Sequence, residues 1–122
     1  MLVALFTIWI LGGSSTSLLD YIADIRDSVK TVMVKDERQK EALSTLNAIK
    51  KRARAHNKQA GKAAMGLDKA FRDHSVTTGQ IDAIWDTYFA EVDQYNHDMI
   101  ELRFELREHI NREEWAAIFS DE

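Results

Sequence analysis

Proline is absent from all 122 residues, and that absence constrains the fold more than any other feature of the chain. A proline inside a helix removes a backbone hydrogen bond and clashes with the preceding turn. Without one, a helix runs for as long as its apolar pattern continues. Here it continues far. Leu18, Ile22, Ile25, Val29 and Val32 step by four, three, four and three, the spacing of a helix that faces another helix. Ala42, Leu46, Ile49, Ala53, His56, Ala60, Ala63, Leu67 and Ala70 keep the rhythm. So do Ile81, Trp85, Tyr88, Val92, Tyr95, Met99, Leu102, Leu106 and His109. The spacing predicts an all-α fold with coiled-coil-like seams.

The starts of the helices are also written in the sequence. Asp36 with Gln39, Thr77 with Gln80, and Asn111 with Glu114 have the spacing of a capping box. In that motif a side chain and a backbone amide satisfy each other at a helix start. A break is expected near Val34–Asp36, and helices over 18–34, 37–73, 79–110 and 112–119. The short loop around Ser75 makes the second and third helices antiparallel neighbours. Folding there sets Leu67 opposite Trp85, Ala63 opposite Tyr88, Ala60 opposite Val92 and Ala53 opposite Met99. Small faces large, as dense packing requires. The expected architecture is a long antiparallel helical hairpin with an N-terminal hydrophobic helix and a short C-terminal helix. Its parts are a hydrophobic segment, 1–19, and a helical domain, 20–122.

Projecting the third helix at ~100° per residue places Phe89, Ile100 and Phe104 away from the seam. Exposed apolar patches of this kind are usually covered. Trp115 and Phe119 folding back, the Leu18–Val32 helix, or a second copy of the chain would each serve. Phe89, Ile100, Phe104, Trp115 and Phe119 are therefore the candidate interface residues.

Met1 to Leu19 carry no charge. The run holding Leu2, Leu5, Phe6, Ile8, Trp9, Ile10 and Leu11 has the length of a secretory signal core, with small residues after it, but no basic residue before it. As a helix, the uncharged stretch would span roughly 28 Å, close to the ~30 Å hydrocarbon core of a bilayer. Gly12 to Ser17 are poorly hydrophobic, though small residues let helices approach closely in lipid. A retained membrane segment, a cleaved signal and a buried core helix are the three readings. The first two place the helical domain at a membrane or beyond it, in a periplasmic or extracytoplasmic compartment. The weak basic content of the flanks leaves orientation nearly unspecified.

The net charge of −4 hides a segregation. Lys35 to Asp73 hold eleven bases and five acids, whereas Asp82 to Glu122 hold twelve acids and three bases. The run Lys50, Lys51, Arg52, Arg54 and Lys58 lacks the interleaved aromatics that stack on bases, so nucleic acid is not expected as a partner. The basic helix is expected against the acidic one, with Lys58 near Asp93 and Lys50 near Glu101.

Candidate chemistry is sparse. The chain has no cysteine, which removes thiol nucleophiles and cysteine-ligated metals. Gly61 and Gly66 are isolated within a helix and form no phosphate loop. Ser75, Thr77 and Thr78 have only His74 nearby, too little for an activated nucleophile. No enzyme, cofactor or small-molecule substrate is expected. One constellation has metal-type spacing: His97 with Asp93 and Glu101 one turn either side. His109 and Glu105 repeat it in part. His56 is expected on the seam, bonded to the Tyr95 hydroxyl.

The exported type of N-terminus, the long hairpin and the terminal Ile110-Asn111-Arg112-Glu113-Glu114-Trp115 together resemble the Spy/CpxP-type periplasmic proteins and their metal-sensing relatives. Ile110, Asn111 and Glu114 stand where that family carries the Leu, Thr and Gln of a Leu-Thr-x-x-Gln helix start. The resemblance implies a dimeric periplasmic chaperone or metal sensor. The residues themselves point to a membrane-anchored or exported protein that works by self-association or by binding a partner protein, without catalysis.

Overall fold

A computed structural model describes residues 15–119. The run of Leu2, Leu5, Phe6, Ile8, Trp9, Ile10 and Leu11 lies outside the described residues. Those described are all-helical, with no strand. Four helices follow in order: α1 (Ser15–Val32), α2 (Glu37–Arg72), α3 (Thr78–His109) and α4 (Arg112–Ile118). Each lies within three residues of its expected bounds. α2 packs along α3, α1 packs on α2, and α4 returns onto α1.

The breaks have local causes. α1 ends where β-branched Val32 and Val34 flank Met33, and α2 begins at Asp36, whose Oδ1 accepts from the Gln39 backbone N–H at 3.2 Å. Only half of the expected capping box forms there. The Gln39 side chain turns inward instead, and its Nε2 donates to the Met33 carbonyl at 3.1 Å. A buried amide thereby satisfies the chain just past the end of α1, where carbonyls lack helical partners. The boxes at Thr77 and Asn111 are complete. Thr77 N–H donates to Gln80 Oε1 at 2.8 Å, and Asn111 N–H donates to Glu114 Oε1 at 3.0 Å. Before α3, Asp73 Oδ1 accepts from both the amide and the hydroxyl of Ser75, which closes the turn.

The core draws on α1 through Leu18, Ile22, Ile25 and Val29, on α2 through Ala42, Leu46, Ile49 and Ala53, and on α3 through Tyr95, Met99 and Leu106. Ile22, Val29 and Leu46 are the largest side chains fully withdrawn from water. Burial of each stabilises the fold by roughly 1.5–3 kcal/mol relative to exposure. Ile118 joins from α4, and Trp115 and Phe119 pack against the cluster, their rings 4.4 Å apart.

The core occupies only part of the length of α2 and α3. No residue of α2 between 54 and 69 is buried, and none of α3 between 78 and 94. That stretch is two helices facing each other, and two helices hide only one stripe apiece. Ala60, Ala63, Leu67, Tyr88 and Val92 are half-buried there, while Phe71 and Trp85 remain exposed.

Candidate functional site

Where the three-helix core gives way to the two-helix stretch, a polar cluster joins α2 to α3. Arg52 Nε donates to Asp98 Oδ2 at 2.8 Å, and its two other nitrogens donate to the carboxylate of Glu91 at 3.3 and 3.1 Å. His56 Nδ1 lies 2.7 Å from Glu91 Oε2. Burial pushes the Glu91 carboxyl upward, but its hydrogen bonds from Arg52 and His56 prevail and hold it below the usual carboxylate range. Glu91 is thus an ionised acceptor, which makes His56 Nδ1 the donor. Asp98 is also held low, by hydrogen bonds from Arg52 and Gln94. Burial pulls the Arg52 guanidinium down, and the bonds to Glu91 and Asp98 more than restore it.

This cluster corrects two expectations. His56 does not bond to the Tyr95 hydroxyl; it lies flat on the ring, with centroids 4.0 Å apart. The Arg52 guanidinium covers the same ring at 5.2 Å. Nor do Lys58 and Lys50 reach Asp93 and Glu101: at this level of the α2–α3 contact the ion pairs run from Arg52 and His56 instead. Arg52 adjoins the seam residue Ala53, and its planar fork reaches both carboxylates at once. Folding the sequence about Ser75 sets Arg52 almost opposite Asp98, a signal that charge counting alone does not separate from its neighbours.

The metal-type spacings come to less. His97 Nε2 meets Glu101 Oε1 at 3.1 Å on an open surface. Glu105 turns to accept from the Thr45 hydroxyl at 2.8 Å, and His109 Nδ1 pairs with Glu41 at 3.0 Å. Among the described residues no group of three or more His, Cys, Asp or Glu side chains is placed to hold a metal ion. His97, Asp93 and Glu101 share a helix face without converging on one point.

A second clamp, unforeseen in the sequence, fixes the other end. Arg38 donates to both carboxylate oxygens of Glu114, at 2.8 and 3.0 Å, and to the His109 carbonyl at 3.3 Å. The start of α2 is thereby tied to the last turn of α3 and the first of α4. Hydrogen bonds from Arg38 and the Asn111 amide hold the Glu114 carboxyl low.

The expected interface residues divide into two groups. Trp115 and Phe119 belong to the margin of the core, where α4 returns onto α1, and the Arg103 guanidinium of α3 lies over the Trp115 ring at 5.3 Å. Phe89, Ile100 and Phe104 stay outside, 55 %, 42 % and 46 % exposed. Trp85 stacks on Phe89 at 5.5 Å and extends the same stripe. Arg103 and Arg107 lie over Phe104 at 5.3 and 5.1 Å. Between α2 and α3 a groove of about 450 Å³ is lined by Ala63, Gly66, Ile84, Tyr88 and Glu91. The outer stripe of α3 is the best-developed candidate site, suited to burying apolar surface rather than to bond chemistry.

Among the described residues no helix is long and apolar enough to cross a membrane. No protein-family model, curated protein or solved structure matches the chain.

Proposed function

We propose that this chain is a small helical protein, anchored at a membrane or exported across it by its N-terminal segment, that acts by associating with itself or with a partner protein and not by catalysis. In this reading α2 and α3 form a long antiparallel hairpin that presents the outer face of α3. The observation that carries it is the exposure of Phe89, Ile100 and Phe104 on one side of a single helix. Solvated apolar stripes of that length are costly unless they are covered part of the time. The uncharged run from Met1 to Leu19 supports the membrane or export half. A periplasmic metal-sensing or chaperone protein of the Spy/CpxP type is the second reading. In its favour is the complete cap at Asn111 and Glu114, the helix start on which that resemblance rests.

Cell fractionation, with mass spectrometry of the mature N-terminus, tests the first reading. Recovery with membranes, or in an extracytoplasmic fraction without Met1 to Ser17, is the expected result. A full-length, monomeric chain in the cytoplasm contradicts it. Titration with zinc, nickel and copper tests the metal part of the second, which requires binding that is lost in His97→Ala and His109→Ala.

A further inference from the structure

The outer stripe of α3 has an internal symmetry that names its occupant. Trp85 and Phe104 stand equally far on either side of the point between Gln94 and Tyr95, and so do Phe89 and Ile100. The charges obey the same rule with opposite signs: Asp86 mirrors Arg103, and Asp82 mirrors Arg107. Asp93 mirrors Asn96, a carboxylate against an amide that can donate to it. At ~100° per residue these residues all fall within an arc of about 100°, so they share one face.

From this self-complementarity we infer that the face is covered by α3 of a second copy, antiparallel to the first, about a two-fold axis between Gln94 and Tyr95. The inference rests on the self-association reading above and gives it a surface. A two-fold interface places the same patch on both sides, so a patch fits only if it complements its own reverse. Here the aromatic ends of the stripe come level with each other, Trp85 with Phe104 of the partner subunit and Phe89 with Ile100 of the partner subunit. Each acidic end meets a basic end. A parallel pairing would set Asp82 against Asp82 of the partner subunit and Arg107 against Arg107 of the partner subunit, which costs free energy. From Trp85 to Phe104 the stripe is ~28 Å long at ~1.5 Å per residue. Two copies together would also shield the stretch of hairpin that α1 leaves uncovered.

Charge reversal tests this on the full chain, purified in a mild detergent and followed by sedimentation. Asp82→Arg with Asp86→Arg should weaken the dimer by about tenfold or more at low salt, since four facing pairs turn repulsive. Adding Arg103→Asp and Arg107→Asp to the same chain should restore it. Circular dichroism checks that each variant keeps its helix content. Cysteine scanning gives an answer that does not depend on the charge variants folding, because the chain has no cysteine of its own. An equimolar mixture of Phe89→Cys and Ile100→Cys chains should cross-link on oxidation, and each alone should not. A wild-type dimer that ignores the charge reversal and yields no mixed cross-link overturns this surface while leaving self-association intact. A dimer lost only on removal of residues 1–14 does the same and moves the contact to the N-terminal segment. A chain monomeric throughout overturns both.

Discussion

His56 of α2 lies on Tyr95 of α3 with the two rings 4.0 Å apart and only 11° from parallel. That stack marks a boundary. On one side of it lies the buried cluster of α1, α2 and α3; on the other, α2 and α3 continue with half-buried seams. Arg52, seated on the same tyrosine and bonded to Glu91 and Asp98, holds the two long helices together at this level.

Arg52→Ala should therefore cost more than removal of a surface charge. It strands two half-buried carboxylates, and a loss of ~1–3 kcal/mol in urea unfolding is expected for hydrogen bonds to charged groups. Arg52→Lys should recover less than half of that, because one ammonium cannot reproduce the fork. A loss below ~0.5 kcal/mol, typical of exposed pairs, would show that the cluster is incidental.

The same groups set an acid limit. Glu91, Asp98 and Glu114 all have carboxyls held below their ordinary values. Their contribution is fully present above the unfolded-state values of ~4 and is lost as pH falls through the lower folded-state values. Stability measured by urea titration should fall from about pH 4.5 downward. The gap between wild type and Glu91→Gln should narrow over that interval. A gap that stays constant down to pH 2.5 would contradict the assignment.

Packing should grade along α2 and α3. Leu46→Ala, in the three-helix core, should cost ~2–5 kcal/mol. Leu67→Ala, at a half-buried position beyond it, should cost clearly less, because water already reaches one side of that leucine. Thermal unfolding of the two variants compares them directly. Equal losses would mean that the far stretch is as well packed as the near one.

Gly61 offers a gain. A methyl group there would meet nothing within 4 Å, and the residue lies in the middle of α2. Gly61→Ala should raise stability by ~0.5–1 kcal/mol through helix propensity alone. A decrease would reveal a neighbour that the packing does not contain.

The sequence made the helices legible because their signals are local. The seam spacing placed α2 and α3 to within a residue, and the caps at Thr77 and Asn111 form as their spacing implied. What it could not resolve was the choice among equivalent partners. Lys50, Arg52 and Lys58 share a stretch of one helix, but they point in different directions at ~100° per residue. Of the three it is Arg52 that adjoins the buried seam residue Ala53, on the side of Glu91 and Asp98. Gln39 reads as a capping partner, yet a buried carbonyl at Met33 competes for its amide and wins. Trp115 and Phe119 read as a cover for Phe89, Ile100 and Phe104, yet they pack against the core cluster where α4 returns onto α1. The outer stripe is legible in part: Phe89, Ile100 and Phe104 follow from the projection, while the seam spacing takes in Trp85, which stands at the edge of the seam and is 37 % exposed.

Association is the centre of this reading, and sedimentation equilibrium of the full chain across a wide concentration range measures it without assumptions about shape. The expected mass, after correction for bound detergent, approaches twice the 14.0 kDa of one chain as concentration rises. A mass that stays at a single chain up to high micromolar concentration would contradict it.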